Sequence, residues 1–167
     1  FPLPKNIALN QPKHDIQRQT VAPVVASPSL SRKSELIRER TQTVLKKVPL
    51  NKEFDWVNTV SIELTTMMLA TLFDFPFEDR RKLTRWSDVA TASPETGIVE
   101  SETQRRAELM ECVEYFMNLW QQRIGKEGHD LITLLANGEN TRDMEPMEYL
   151  GNLILLIVGG NDTTRNS

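Results

Sequence analysis

Apolar positions recur at helical spacing along most of the chain. The clearest helix is predicted over residues 101–125, where apolar side chains return every three or four positions. Two adjacent stripes run along it: Leu109, Cys112, Phe116 and Leu119 in one, and Met110, Val113, Met117, Trp120 and Ile124 in the other. Together they predict a broad surface that faces the core.

Further helices are predicted on both sides of this one. Their ranges are about 12–22, 31–47, 58–73, 78–90, 130–136, and about 146 to the chain end. The first is expected to end by Ala22, because Pro23 disfavours helix in the residue before it, and Ser27–Ser29 is expected to be a loop. Glu53–Val57 is aromatic and β-branched, which predicts a short strand. The fold class is therefore mainly α, with one or two short strands.

Composition excludes several classes of protein. The 167 residues are 39% hydrophobic and 26% charged with a net charge of −3, unlike a collagen, a disulfide scaffold or a strongly basic nucleic-acid binder. The longest apolar run, Leu153–Val158, is far shorter than the roughly 20 residues of a membrane span. One cysteine allows no intrachain disulfide and suits a reducing compartment, so we expect a cytoplasmic protein.

Charge is unevenly distributed along the chain. Residues 1–50 hold nine Lys and Arg against three Asp and Glu, whereas the remainder holds eleven against twenty. A basic stretch of this kind can dock an acidic partner. A solvated helix face also explains it.

The last predicted helix carries GGNDTT after a strongly apolar stretch. Glycines inside a helix cost about 1 kcal/mol each relative to Ala, but the backbone at Gly159 and Gly160 can approach a flat ligand closely. Thr163 can bond back to the Gly159 carbonyl, and Asp162 beside it forms an acid–hydroxyl pair suited to proton transfer. The spacing also allows a buried helix that ends in a glycine-rich turn, with Asp162 or Thr163 capping a following helix.

A second constellation, PKHDIQR, lies near the start of the chain. His14 and Arg18 are four residues apart and therefore share a helix face. Both can donate to carboxylates or phosphates, so the pair could hold an anionic ligand. A solvated pair on a surface helix is the alternative. No metal site is predicted, because neither His14 nor His129 has a set of further ligands at suitable spacing.

Taken together and in this order, the two motifs resemble the cytochrome P-450 family of haem-thiolate monooxygenases. GGNDTT resembles the oxygen-activating motif on that family's long central helix, and HDIQR resembles its His–Arg pair on an earlier helix. The segments QPKHDIQRQTVAP and LILLIVGGNDTTRNS are similar to those of bacterial soluble alkane hydroxylases of the family. The resemblance covers the whole chain, but only the central part of the family fold.

The resemblance implies a cofactor, haem b, and the residues that contact it. His14 and Arg18 match the pair that binds the haem propionates. Gly159 and Gly160 match the positions where the central helix passes over the haem and leaves a groove for oxygen.

The resemblance also implies a reaction. Asp162 and Thr163 match the catalytic acid–alcohol pair that delivers protons to dioxygen. Leu155 and Val158, on the preceding turns, would face the substrate. The implied activity is terminal hydroxylation of medium-chain alkanes or fatty acids with dioxygen and two electrons. A ferredoxin and its reductase would supply those electrons, and Lys13 and Arg18 would help the ferredoxin to dock.

The family's iron ligand is a thiolate in a Cys-containing loop beyond the central helix. Cys112 lies before that helix on an apolar stripe, so we expect an inert core thiol there and the iron ligand outside residues 1–167. Residues 1–167 are accordingly expected to be part of a single catalytic domain, truncated at both ends and inactive alone. Two other readings stay open: a non-catalytic helical ligand-binding or regulatory module with an apolar pocket, and an interaction protein that uses the basic first third.

Overall fold

The computed structural model describes residues 11–165, excluding the side chains of residues 94, 162, 163 and 165. Within this range the backbone forms eight α-helices and no strand. They are α1 (Lys13–Val25), α2 (Ser27–Arg32), α3 (Ser34–Leu45), α4 (Ile62–Phe73), α5 (Arg81–Thr91), α6 (Glu102–Arg123), α7 (Leu131–Asn137) and α8 (Pro146–Arg165). A π-helical turn, Val57–Ser61, precedes α4. The prediction of a mainly α fold is confirmed.

The strand predicted at Glu53–Val57 is wrong. Residues 53–55 have no regular structure, and helical geometry begins at Trp56 and continues into α4. The backbone N–H of Asn58 donates to the Asp55 carboxylate at 2.9 Å, which satisfies one of the free donors at a helix start. A strand needs a neighbouring strand for its backbone hydrogen bonds, and residues 11–165 supply none. Local capping therefore decides the conformation.

Two boundaries predicted from prolines are also wrong. α1 continues through Pro23 to Val25, and Pro28 lies in the first turn of α2 instead of in a loop. Pro23 leaves the carbonyl of surface-exposed Gln19 without its helical donor, but water can bond that carbonyl, and the next residue, Val24, is buried in the core. A first-turn proline costs no hydrogen bond, because the N–H it lacks has no helical acceptor.

The main core forms where α4, α5, α6 and α8 meet. Phe73, Trp86, Phe116 and Leu153, one from each of these helices, are at most 1% exposed. The Phe116 ring lies 6.0 Å from that of Phe73 and 5.8 Å from that of Trp86, between ring centroids. This aromatic centre holds α8 against three helices at once. No helix among residues 11–165 is long and apolar enough to cross a bilayer.

The helix predicted over 101–125 is confirmed, and the structure shows how it is capped. The Ser101 hydroxyl accepts a hydrogen bond from the Gln104 backbone N–H at 3.1 Å, and Gly125 takes a left-handed φ of 72° just after the helix ends. The stripe through Cys112 and Phe116 is the more deeply buried one. In the other stripe, both Met110 and Ile124 are about half exposed, so the core-facing surface is narrower than predicted.

Candidate active site

α8 carries the GGNDTT segment without interruption. The helix runs from Pro146 to Arg165 and includes both glycines, so the alternative of a helix ending in a glycine-rich turn is wrong. Asp162 and Thr163 lie in its last turns by backbone position, but their side chains are outside the described part of the structure. Their role as an acid–alcohol pair stays a prediction.

The two adjacent glycines have different surroundings. A Cβ atom at Gly160 would lie 2.7 Å from Cδ2 of Leu69 on α4, whereas a Cβ at Gly159 would have no heavy atom within 4 Å. Glycine at 160 therefore allows the close approach of α4 and α8. At Gly159, which is exposed, no side chain covers the α8 backbone, and we call this stretch the bare backbone of α8. It is the position that fits the close approach of a flat ligand.

α1 places His14 and Arg18 one turn apart. His14 is partly buried, and its Nδ1 lies 2.9 Å from Oδ1 of Asp15. Arg18 is exposed, and its guanidinium has no hydrogen bond or ion pair with another residue of the described range. Its donors are available for an acidic ligand. A bidentate guanidinium and an imidazole N–H are suitable donors for carboxylates.

A buried polar network joins α1 to α8, and sequence reasoning missed it. Lys13 Nζ lies 2.7 Å from Oε2 of Glu148, and the Gln17 amide donates to the other oxygen of the same carboxylate. Asn152 Nδ2 donates to Oε1 of Gln17 at 3.1 Å. Gln17, Glu148 and Asn152 are each less than 9% exposed. The sequence does show a polar pair four residues apart on each of the two helices, but it does not show that the two pairs meet.

The predicted substrate residues lie about one turn apart on α8 but have different surroundings. Leu155 lines a cavity of about 30 Å³ together with Gln17, Val21 and Asn152, whereas Val158 packs against the main core. A cavity of this size has room for ordered water but not for a medium-chain alkane. The structure does not bring the two residues to a common pocket, and their contact with substrate stays a prediction.

Cys112 is fully buried on the core side of α6. Burial, and to a lesser extent the charge of Glu111, raises the pKa of its thiol far above the ordinary value. A thiol that does not ionise is a poor metal ligand. The predicted position of Cys112 in the core is confirmed, and the inertness of its thiol stays a prediction.

Comparison with known proteins identifies the fold and its family. No family model matches the chain. The curated linalool 8-monooxygenase of Pseudomonas putida is 30% identical over 162 residues, which are 96% of this chain and 40% of that protein. The solved structure of cytochrome P450-153 from Novosphingobium aromaticivorans is 44% identical with a TM-score of 0.83, covering 98% of this chain and 39% of that one. CYP153D17 from Sphingomonas sp. PAMC 26605 is 50% identical with a TM-score of 0.85, covering 99% and 42%.

These neighbours identify the cytochrome P450 family. The chain spans about two fifths of the length of the relatives it matches. The family implies haem, and the described residues fit that group at two places. Gly159 leaves a bare stretch of α8 backbone against which a flat ring system can lie, and the donors of His14 and Arg18 suit its carboxylates. Cys112 does not fit as the thiolate of a cytochrome P450, because it is enclosed in the core.

Proposed function

We propose that this chain is part of a haem monooxygenase that hydroxylates the terminal carbons of medium-chain alkanes or fatty acids. The observation that carries the proposal is the 44% and 50% identity to two cytochrome P450-153 structures over 98% and 99% of the chain. Support for the monooxygenase reaction comes from the curated relative, which is named for that chemistry. The alkane assignment rests on the resemblance of the two motifs to soluble alkane hydroxylases.

Four residues are proposed to form the haem b site, three by direct contact and one indirectly. His14 and Arg18 donate hydrogen bonds to its propionates, and Gly159 lets it approach the α8 backbone. Gly160 acts indirectly, because its contact with Leu69 holds α8 against α4. When bound, haem supplies an iron atom that activates dioxygen.

Asp162 and Thr163 are proposed to move protons. The Asp162 carboxyl exchanges its proton with solvent, and the Thr163 hydroxyl passes one on to dioxygen. Leu155 and Val158 are proposed as apolar walls, because an alkane offers no group that could form a hydrogen bond.

Two electrons per reaction are proposed to come from a ferredoxin and its reductase. Arg18 is exposed and supports docking of an acidic partner. Lys13 is a poorer test of docking than sequence suggests, because its ammonium group is paired with Glu148. Arg18→Glu should slow electron transfer and weaken its dependence on salt concentration, although this substitution also touches the proposed haem contact. Arg38→Glu on the exposed surface of α3 is a matched control for the change of charge.

The test of the reaction is product analysis with the haem-loaded protein, meaning the complete enzyme that contains residues 1–167, together with a ferredoxin and its reductase. We expect n-octane and octanoate to be hydroxylated at the terminal carbon, as determined by gas chromatography with mass spectrometry. Hydroxylation only at internal carbons contradicts the substrate assignment. Failure to take up haem contradicts the monooxygenase assignment and favours a non-catalytic ligand-binding module.

The test of the proton path is the coupling of electron use to product. Thr163→Ala should lower the amount of product formed per electron pair, whereas Thr164→Ala, the adjacent exposed threonine on the same helix, should leave it close to the wild-type value. Unchanged coupling in Thr163→Ala contradicts the role of that hydroxyl.

A further inference from the structure

We propose that Lys13, Gln17, Glu148 and Asn152 are positioning residues that fix α1 relative to α8. Their hydrogen bonds set the position of His14 and Arg18 with respect to the bare backbone of α8. The inference rests on the proposed function, because it concerns how two proposed haem contacts from distant parts of the chain are held in one arrangement.

On α1, the two anchoring residues are one helical turn apart, and each is followed directly by a proposed haem-binding residue. Lys13 precedes His14, and Gln17 precedes Arg18. Two anchors on one face fix both the height of α1 along α8 and its rotation about its own axis. Any change in either would displace both donor side chains together.

On α8, the anchors lie on the same side as the bare backbone. Glu148 and Asn152 are one turn apart, and Gly159 follows Asn152 by seven residues. Seven residues make almost two full turns, so the two positions differ by about 20° around the helix and by about 10 Å along it. The network therefore continues the face on which Gly159 lies.

Packing between α1 and α8 beside the network is loose. The cavity of about 30 Å³ lies here, and Gln17, Asn152 and Leu155 contribute to its lining. Apolar contact across such a gap does not define a unique arrangement. The hydrogen bonds do, because sliding α1 by one residue would separate the buried Glu148 carboxylate from Lys13 and Gln17 and would break the bond between Gln17 and Asn152.

The rate of haem loss tests the inference without relying on turnover. It is measured in the haem-loaded protein by transfer of haem to an excess of a haem-free globin, with thermal unfolding followed in parallel. Glu148→Ala should release haem about tenfold faster, as expected if one hydrogen bond to a charged group is misplaced. Lys13→Arg keeps the ion pair and should retain most of the wild-type rate.

A double substitution separates positioning from stability. Gln17→Leu with Glu148→Leu replaces both partners of one buried hydrogen bond by apolar side chains of similar size, which should preserve the unfolding temperature while removing the directional contact. Lys13 is 56% exposed and can be solvated, and Asn152 keeps its contact with Met144 Sδ. We expect this variant to lose haem faster than wild type although it is no less stable. It also keeps the inference testable if Glu148→Ala does not fold.

Two control variants complete the design. Glu111→Ala removes an exposed carboxylate that pairs with Lys82 at 3.1 Å between α5 and α6, and it should leave haem loss unchanged. Val89→Ala destabilises a small core cluster away from α1, and it should lower the unfolding temperature without speeding haem loss.

Three outcomes are distinguishable. Faster haem loss in Glu148→Ala and in the double leucine variant, but not in the controls, supports the inference. Wild-type haem loss in both test variants overturns it and leaves the proposed function standing. Failure of the wild-type protein to take up haem overturns the proposed function itself.

Discussion

α8 meets its neighbours through two surfaces of opposite character. Towards α4 and α5 the contact is apolar and close, with Leu153 and Ile157 completely buried and Gly160 directly against Leu69. Towards α1 the contact consists of a carboxylate, two amides and an ammonium group beside a small cavity. The first surface we call the packed face and the second the polar face.

The two faces have different roles. The packed face stabilises the fold, and the polar face fixes the position of α1 relative to α8. Burial of apolar side chains contributes most of the free energy of folding but has little directionality. A hydrogen bond contributes only about 1 kcal/mol net, but it is costly to leave a buried partner unpaired. One helix can therefore anchor the fold on one side and set a fixed arrangement of functional groups on the other.

The largest effect is expected at the packed face. Leu153→Ala should lower the free energy of unfolding by about 2–5 kcal/mol, because it leaves a cavity in the main core. Urea unfolding measures this loss. The same variant should lose haem at close to the wild-type rate, and haem loss as fast as in Glu148→Ala would break the distinction between the faces.

The adjacent glycines provide a sharper test, because they differ by one position on the same helix. Gly160→Val should destabilise the protein by about 1–3 kcal/mol through overpacking against Leu69. Gly159→Ala should be neutral or raise stability by up to about 1 kcal/mol, because the helix gains a better helix former and open space receives the methyl group. Equal losses from the two substitutions would contradict the assignment of Gly160 to packing and Gly159 to the open side.

A carboxylate at the edge of α4 extends the comparison to pH. Burial raises the pKa of Glu63, but hydrogen bonds from Arg80 and the charges of Arg81 and Arg80 outweigh burial and hold that pKa below its usual value of 4.5. The ionised form is therefore favoured in the folded state, and its stabilising effect is fully present above pH 4.5 and is lost as the pH falls through the folded-state pKa.

Urea midpoints measured between pH 7 and pH 3 should therefore fall in acid. Glu63→Gln should be less stable by about 1–2 kcal/mol at pH 7, because its charge-assisted hydrogen bonds are weakened. The loss is no larger because Arg81 is half exposed and solvent screens its charge. It should also show a shallower fall in acid than wild type. Parallel profiles for wild type and Glu63→Gln would show that other carboxylates cause the acid sensitivity.

The smallest effect is expected where a charged pair is exposed to solvent. Glu111→Gln removes the ion pair with Lys82, whose side chains are 54% and 39% exposed. The expected change in the free energy of unfolding is about 0–1 kcal/mol, and added salt should reduce it further. A larger loss would mean that polar contacts stabilise this molecule even where they are exposed to solvent.

Local signals explain which elements could be predicted from sequence. α6 was predicted because its apolar periodicity lies within its own residues. The structure adds caps that are equally local, Ser101 for α6 and Asp130 for α7. The end of α1 was not, because it depends on burial of Val24 in a core formed by distant helices. The strand at Glu53–Val57 was wrong because its residue types favour a strand only when a partner strand is present.

The candidate site also has features that could be predicted from sequence and features that could not. The GGNDTT and HDIQR motifs are local, and their resemblance to a known family implied haem and the residues that contact it. The unequal roles of the two glycines depend on Leu69 of another helix, and the bond between Lys13 and Glu148 joins residues 135 positions apart. A single sequence contains no signal that pairs such positions.

Cys112 gives the protein an internal reporter. It is the one cysteine among residues 1–167 and is completely buried in the main core, so a thiol-reactive dye can attach to it only when that core opens. The rate of dye attachment then measures the frequency of core opening under native conditions. A cysteine introduced on the exposed surface of α1 would react at once while Cys112 stays silent, which allows a single spectroscopic label to follow the movement of α1.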